Sequence, residues 1–286
     1  MTCIYLAKAP FVVYAHFEAL VIPTGQEHPE RGHRSFDYEC QTPCSVGYYI
    51  VSTFPQFNNG YQARMGEDCL KWLITELMGF EKKAMQFYND EKRLQWDPRL
   101  EYDFNQEIQC HICHKLFNTN HTDKVRDHDH VTGQNRGAAH KWCNIRLRRN
   151  CKIPVIFHNF RGYDSHFITM PLKDFEGVEI RVIGQGMEKY LTLSVGKYLV
   201  FKDSLQFLGS RLATLDKNLL KTGLESFKHL SRKFLGTEAQ EFRLLVRKGV
   251  YPYEYIDSWE KMDEQQLPPK EAFHSKMTDS DISSED

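Results

Sequence analysis

The sequence predicts a mixed α/β (α+β) fold in which a small metal-stabilised module interrupts a larger, discontinuous domain. Two observations predict the larger domain: β-rich apolar runs occur in both halves of the chain, and an amphipathic helix pattern lies between them. The third observation is a group of Cys and His residues at metal-ligand spacing near the middle. With 286 residues, the chain is long enough to bury a sizeable core.

The first half of the chain alternates strand and helix patterns. Strands are predicted at 10–23 and 43–54, with the second as a possible hairpin partner of the first. A helix is predicted from 66 to 85, because apolar residues recur there at i, i+3, i+4, i+7 and i+8. These residues are Leu70, Leu73, Ile74, Leu77 and Met78. The polar stretch 89–107 is predicted to be an exposed connection.

The second half repeats this alternation. Strand character returns at 153–170, and 190–207 is predicted to form a hairpin that turns near residues 195–197. Helices are predicted at 208–220 and 237–249. The predicted domains are a first part at 1–104, an inserted module at 105–150, a second part at 151–278, and a disordered acidic tail at 279–286.

Composition limits the classes of partner and compartment. The formal net charge of −1 predicts no partner by itself, so affinity for nucleic acid must come from local patches. No apolar run approaches the length of a membrane span, which predicts no membrane partner. Eight cysteines without a secretory signal indicate a reducing, intracellular compartment rather than a disulfide framework.

Four residues have the spacing of a structural zinc site. Cys110 and Cys113 form one ligand-x-x-ligand pair, and His140 and Cys143 form the other. Thiolate and imidazole are the ligands that tetrahedral zinc prefers, and four protein ligands leave no open position for catalysis. A module of about 40 residues has too little core of its own and commonly needs such a metal. The zinc is therefore predicted to fold the module.

Polar residues left over beside these ligands suit a second, harder metal ion. They are Asp127, His128, Asp129, His130 and Asn144. Hydrolysis of a phosphodiester needs an activated water and a cation that neutralises charge on the phosphate. Histidine suits the base, since its pKa lies near neutral pH, and carboxylate and amide oxygens suit Mg²⁺. The sequence therefore also predicts a candidate site for metal-dependent cleavage.

The segment CHIC…DHDHVTGQNRGAAHKWCN resembles the His-Me finger (HNH-type) module of the recombination endonuclease VII family. That resemblance implies a β-hairpin followed by a helix around zinc (a ββα-metal module), and magnesium-dependent cutting of branched DNA. It also implies a role for each matching residue: Asp127 and Asn144 bind the catalytic metal, His128 is the general base, His130 supports it, and Arg136 contacts phosphate. His140 departs from the family, which usually has a cysteine there.

A local basic patch leaves a second interpretation of the module open, in which it binds DNA without cutting. Residues 110–152 contain nine Lys or Arg against three Asp, an excess of six positive charges. Arg146, Arg148 and Arg149 lie within six residues after the last predicted zinc ligand, Cys143. Such a patch is typical of nucleic-acid-binding surfaces, although charge runs are also common on solvated faces.

Four segments flank the module: PFVVYAHFEAL (10–20), IPVIFHNFRGYDSHFI (153–168), VFKDSLQFLGSRLATLDKNL (200–219) and KGVYPYEYIDSWEK…LPPKEAF (248–273). Together they resemble successive blocks of protein-primed family B DNA polymerases of viral, organellar and self-synthesising transposon type. The resemblance implies an RNase H-like 3′–5′ exonuclease region with an intact second motif: Asn159, Tyr163 and Asp164. The first motif, normally Asp-x-Glu, reads His16-Phe17-Glu18, so an acidic metal ligand is missing. The sequence YEYID, residues 253–257, is interpreted as a chance match to the third motif. The polymerase palm motifs are absent.

Three hypotheses of function follow. The chain is a nucleic-acid-binding fragment of a mobile-element or viral-type polymerase that is inactive as an exonuclease; or it is a magnesium-dependent, structure-specific DNA endonuclease; or it is a non-catalytic zinc module that binds DNA. The predicted partners are DNA and either a separately encoded palm or a second copy of the chain. Whether it is an enzyme is left open between these hypotheses.

Overall fold

The computed structural model describes residues 8–24, 39–118, 120, 122–147, 151–184, 190–227, 250–275 and 279–282. The strands in this part of the chain are β1 (Phe11–Pro23), β2 (Glu39–Ser52), β3 (Tyr61–Met65), β4 (Lys124–His128), β5 (Asn135–His140), β6 (Ile153–Phe157), β7 (Ile180–Gly184), β8 (Tyr190–Val195) and β9 (Leu199–Asp203). The α-helices are α1 (Cys69–Asn89), α2 (Pro98–Gln106), α3 (Lys141–Arg146), α4 (Asp164–Leu172), α5 (Leu205–Leu208), α6 (Leu212–Leu220) and α7 (Trp259–Met262).

Seven strands form one mixed sheet in the order β3-β2-β1-β6-β9-β8-β7. The strands β1, β2 and β3 pair antiparallel, and β6 and β9 continue the sheet parallel to β1. The strands β8 and β7 then complete it with antiparallel pairing. The strands β4 and β5 form a separate hairpin, which lies in the chain between β1 and β6. A mixed α/β fold is therefore confirmed, with the hairpin module inserted between strands of the large sheet.

One face of the sheet carries the main core. Alternate residues of β1 point into it, beginning with Phe11 and Val13, because successive side chains of a strand face opposite ways. The helix α1 covers this face with the predicted apolar stripe: Leu70, Leu73, Ile74 and Leu77 are buried, and Met78 packs against them half-buried. A second cluster, around Leu20, Cys44 and Ile256, joins the far end of β1 to the segment before α7.

Most predicted elements of the large sheet are confirmed. The strands β1 and β2 form the predicted hairpin, α1 and α6 lie at the predicted helices, and β8 and β9 turn at the predicted glycine, Gly196. Gly196 has a φ of +63°, a backbone conformation that glycine adopts without strain. The strand predicted at 153–170 is correct only to residue 157, because α4 begins at Asp164.

The predicted exposed connection at 89–107 contains the helix α2, although none of its residues is buried. The Asp97 side chain caps this helix by accepting a hydrogen bond from the backbone N–H of Arg99, and Pro98 takes the first helical position. An Asp-Pro pair is a helix start signal, so the sequence contained a local signal for α2. The helix predicted at 237–249 lies outside the described residues. So do residues 283–286 of the predicted acidic tail.

Among the described residues, no helix combines the length and the apolar character that crossing a bilayer requires.

Candidate metal centre and nuclease site

The four predicted zinc ligands converge on one point. The ligand atoms of Cys110, Cys113, His140 and Cys143 all lie within 4.8 Å of one another. Nδ1 of His140 is 3.4 Å from Sγ of Cys113 and 3.8 Å from Sγ of Cys143. Tetrahedral zinc with bonds of about 2.0–2.3 Å sets its ligand atoms about 3.3–3.8 Å apart, so the residues present fit this ion.

The far nitrogen of His140 supports the same conclusion. Its Nε2 lies 3.2 Å from the backbone carbonyl oxygen of Leu116 and 3.5 Å from Oδ2 of Asp123. Both partners are acceptors, so the proton belongs on Nε2, and Nδ1 is left as the lone-pair donor that faces the three sulfurs. Outer partners of this kind orient ligating histidines in metal sites. The histidine that departs from the family pattern is thus held in the tautomer that a metal requires.

The pKa values of the cysteine thiols in the cluster also agree with a bound metal ion. Burial alone would raise the pKa of Cys110, but hydrogen bonds from backbone N–H groups, chiefly that of His140, outweigh it and lower the pKa to about 7. Burial raises the pKa of Cys143, and the neighbouring thiols raise it further, to about 12. Three thiolates this close repel one another, and zinc is the kind of ion that holds such a set deprotonated.

The hairpin β4–β5 carries the predicted catalytic residues at an irregular point. Asp127 pairs with Gly137 and His128 pairs with Asn135, so Arg136 is the extra residue of a β-bulge. Bulges of this kind redirect side chains and are frequent beside active sites. Here Asp127 is 2% exposed, whereas the adjacent His128 is half-buried. The strand therefore presents its carboxylate inward and its imidazole toward the surface.

Asp127 has two cationic or donor neighbours. Its Oδ2 accepts a hydrogen bond of 2.8 Å from Nε2 of His111, and its Oδ1 lies 3.8 Å from Nη1 of Arg136. The second distance is too long for a hydrogen bond, so Oδ1 keeps lone pairs that suit a hard cation. Sequence analysis missed His111, because a residue inside a Cys-x-x-Cys pair gives no local sign of reaching a carboxylate sixteen positions away.

Asp129 organises the loop of the hairpin. Its Oδ1 accepts hydrogen bonds from the backbone N–H groups of Val131 and Thr132, and its Oδ2 accepts one of 2.8 Å from Nη2 of Arg136. Burial acts to raise the pKa of Asp129, but these donors outweigh it and lower the pKa. The guanidinium of Arg136, which was predicted to contact phosphate, is therefore paired with Asp129, although the residue itself is exposed.

The remaining predicted residues lie on or next to the hairpin and α3. The rings of His128 and His130 are 4.4 Å apart, and both side chains are half-buried. Asn144 lies on α3, which contacts both β4 and β5. Arg146 ends the same helix and is exposed. Arg148 and Arg149 lie outside the described residues.

Residues before the predicted start of the module, at 105, also pack on the hairpin. The backbone N–H groups of Lys92 and Gln95 donate to the carbonyl oxygens of His130 and Gly133, at 2.6 and 2.8 Å. Gly133 has a φ of +76°, and a Cβ added there would lie 2.5 Å from the carbonyl oxygen of Arg93. Only glycine fits this close approach without a shift of the backbone.

Residues 90–163 match the family model of recombination endonuclease VII. The match covers the Cys/His cluster, the hairpin and α3, and continues through β6 to Tyr163. A match to this family indicates nucleic-acid binding or nuclease activity for the matched segment. No curated protein and no solved structure matches the chain.

The residues predicted from the polymerase resemblance meet at a different place. Glu18, Asn159, Tyr163 and Asp164 all line one cavity of about 1070 Å³ beside the large sheet. The strand β1 supplies Glu18, the turn after β6 supplies Asn159, and the start of α4 supplies Asp164. The ring of Tyr163 stacks on that of Phe17 at 5.9 Å. Segments far apart in the sequence thus form one concave site.

This cavity does not fit a two-metal site. His16 stands where the polymerase resemblance predicts a carboxylate, and its Nε2 lies 3.2 Å from Oε1 of Glu18. The hydroxyl of Tyr253 donates to Oε2 of Glu18 at 3.3 Å. Both oxygens of Glu18 are therefore engaged. Asp257, the acidic residue of the YEYID match, pairs with Lys261 at 2.9 Å instead. Among the described residues, the Cys110–Cys143 cluster is the group whose metal-ligand atoms converge.

Sequence analysis missed Asp203 as a positioning residue for this cavity. This buried carboxylate ends β9, and it accepts hydrogen bonds from the backbone N–H groups of Asn159, Arg161 and Leu205 at 2.9, 3.2 and 2.9 Å. These bonds hold Asn159 in a left-handed conformation, with a φ of +69°. An aspartate at a strand end followed by Ser-Leu was the only local sign of this role.

The burial of Asp164 predicts that the stability of the protein depends on pH. Burial raises the pKa of this carboxyl to about 7, the negative charges of Asp203 and Glu18 act in the same direction, and His16 opposes the shift. The folded-state pKa thus exceeds the unfolded value of about 3.9, so stability falls as the pH rises from about 4 to 7, and the loss persists above pH 7. Asp164→Asn, which cannot ionise, is expected to stabilise the protein by about 2–4 kcal/mol at pH 8.

Urea unfolding at pH 5 and pH 8 measures this effect. The stabilisation by Asp164→Asn is expected to be larger at pH 8 than at pH 5, by about 2 kcal/mol. Asp263→Asn, at an exposed position, is the matched control and is expected to change stability equally at the two pH values. Equal effects of Asp164→Asn at both pH values would contradict the raised pKa.

Proposed function

We propose that this protein binds DNA and that its zinc-held hairpin module cuts DNA with the help of magnesium. One observation carries the proposal: the Cys/His cluster joins the start of α3 to the 110–113 segment, so that Asp127 and His128 on β4 and Asn144 on α3 belong to one small module. The family match over the same residues supports it.

Each residue has a role that its position supports. Asp127, fixed by His111, and the amide oxygen of Asn144 are the proposed ligands of a magnesium ion. Bound there, the ion would neutralise charge on the scissile phosphate and the leaving oxygen. His128, with its ring toward the surface, is the proposed base that takes a proton from the attacking water. His130 lies against that ring and is proposed to orient it.

We further propose that the module begins near residue 90 rather than at 105. The hydrogen bonds of Lys92 and Gln95 to the hairpin loop support this boundary. So does α2, because Nη2 of Arg126 on β4 lies 2.6 Å from Oε2 of Glu101 on that helix, and the Arg126 guanidinium lies 4.1 Å from the ring centre of Phe104. The remainder of the predicted division, at 151–278 and 279–286, stays a proposal.

Nicking of supercoiled DNA tests the proposed cleavage. The purified full chain, loaded with zinc, is incubated with plasmid in Mg²⁺, and conversion to the nicked circle is measured. We expect nicking that requires Mg²⁺, and faster cleavage of branched than of linear duplex DNA. A folded, zinc-loaded protein that nicks neither substrate would rule out the nuclease and leave DNA binding alone.

A second proposal concerns the large sheet. We propose that it is an RNase H-like exonuclease-type domain of a family B polymerase from a viral or mobile element, without exonuclease activity. The shared cavity of Glu18, Asn159, Tyr163 and Asp164 supports a common origin of these residues, and the mixed sheet agrees with that fold. The imidazole of His16 supports loss of the activity. A separately encoded palm or a second copy of the chain is the proposed protein partner.

A further inference from the structure

An exposed aromatic and basic surface lies on α3, next to the zinc ligands. We call it the α3 face; it consists of Lys141, Trp142, Ile145 and Arg146, four exposed residues of that helix. Trp142 is 66% exposed and Ile145 is 62% exposed. The opposite side of the helix faces inward, since Cys143 packs against the small core of the module.

The zinc site holds this face in place. Trp142 lies between the ligands His140 and Cys143 in the sequence, so its backbone has little freedom once the metal is bound. An exposed indole on a constrained backbone presents a broad aromatic surface to a ligand. The same six-residue helix carries Asn144, a proposed ligand of the catalytic metal. Whatever binds the α3 face therefore lies close to the proposed cleavage site.

The positive charge of the α3 face indicates which class of ligand it can bind. Residues 141–152 contain five Lys or Arg and no Asp or Glu. The guanidinium of Arg146 lies 5.9 Å from the ring centre of Trp142, and no carboxylate of the described residues forms an ion pair with it. A basic side chain beside an exposed aromatic ring is the combination by which proteins bind single-stranded nucleic acid, with phosphate on the cation and a base stacked on the ring.

We propose that the α3 face binds DNA at an unpaired base, which stacks on Trp142 while Arg146 and Lys141 bind the neighbouring phosphates. This inference rests on the proposed function and deepens it by naming the substrate class: DNA in which a base is unstacked near the cleaved bond. Stacking on Trp142 recognises any base, because every base has an aromatic face. The contact therefore selects unpaired structure rather than sequence.

The module contains a matched control for this surface. Trp96 is also highly exposed, at 57%, and the guanidinium of Arg126 lies 5.5 Å from its ring centre. That arginine is already paired with Glu101, at 2.6 Å. Trp96 thus offers an aromatic ring without an unpaired cation, and its replacement is not expected to weaken DNA binding.

Equilibrium binding of fluorescent oligonucleotides tests the inference. The full zinc-loaded chain is titrated into a 20-nucleotide single strand and a 20-base-pair duplex, without magnesium and without chelator, and anisotropy is measured. We expect Trp142→Ala to weaken single-strand binding about tenfold or more and duplex binding about twofold or less, because base stacking contributes only to the first. Trp142→Phe is expected to keep most of the affinity, and Trp96→Ala nearly all of it.

Salt dependence separates the arginine from the tryptophan. Arg146→Ala is expected to weaken binding to both DNAs and to lower the slope of log K against log salt by about one, as the loss of one phosphate contact does. Trp142→Ala is expected to leave that slope unchanged. The zinc content of each variant is measured alongside, so that loss of the metal is not mistaken for loss of a contact.

Three results would overturn the inference. In the first, zinc-loaded Trp142→Ala binds single-stranded DNA as tightly as the wild type does. In the second, Trp142→Ala loses the same affinity for the single strand and for the duplex. In the third, Trp96→Ala weakens DNA binding as much as Trp142→Ala does. The first result would indicate that the α3 face binds a protein rather than DNA. Single-strand binding that depends on Trp142, in a protein that nicks no DNA, would support this inference and contradict only the proposed cleavage.

Discussion

Replacing His128 with alanine is expected to lower the rate of magnesium-dependent DNA nicking by about 10²–10⁴-fold, the usual contribution of a general base. The imidazole has no part in the zinc cluster, so the zinc content and the unfolding midpoint are expected to stay as in the wild type. Single-turnover nicking at saturating magnesium is the measurement, because it reports the chemical step rather than product release.

His166→Ala is the control for the loss of an imidazole, since this exposed residue of α4 lies in the large sheet domain. It is expected to nick DNA at the wild-type rate. His130→Ala removes the ring that lies 4.4 Å from that of His128, and it is expected to cost less than His128→Ala. Full activity of His128→Ala together with an inactive His130→Ala would assign the base to His130 and contradict the proposal.

Replacing Cys113 with serine is expected to release the zinc and unfold the hairpin module. Zinc binding contributes about 10–16 kcal/mol in small zinc-folded modules, whereas the buried apolar side chains of this module form only a small cluster. That cluster consists of Cys110, Phe117, Ala138 and Ala139, and two of its members are alanines. Little core remains to hold β4 and β5 together once the metal is lost.

Hydrogen exchange and metal analysis measure this effect. In Cys113→Ser, backbone amides of 110–147 are expected to lose protection, while β1 and β6, buried in the main core, keep theirs. Cys40→Ser, at an exposed cysteine outside the cluster, is the control and is expected to bind one zinc per chain as the wild type does. Wild-type zinc content in Cys113→Ser would show that the four-ligand site is wrongly assigned.

Local patterns account for the elements that were predicted correctly. The apolar stripe of α1, the β-rich run of β1 and the turn at Gly196 are each encoded within a short stretch of sequence, and the structure forms each of them where expected. The four predicted zinc ligands are also encoded locally, because only two positions separate the two residues of each pair. Their ligand atoms converge as expected. The start signal of α2 was equally local, in Asp97-Pro98, and was overlooked within a polar stretch.

The sequence by itself determined which four residues converge as a candidate zinc site, and where the main strands and the first helix lie. It also predicted which polar residues are candidates for catalysis. Only the tertiary structure decided that His111 donates to Asp127, that Asp129 holds Arg136, and that Asp203 fixes the turn of Asn159. It also decided that Glu18 is engaged by both His16 and Tyr253, the second of these 235 positions away. The physical reason is range: a hydrogen bond between distant segments depends on how the chain packs, and no spacing along the sequence encodes it.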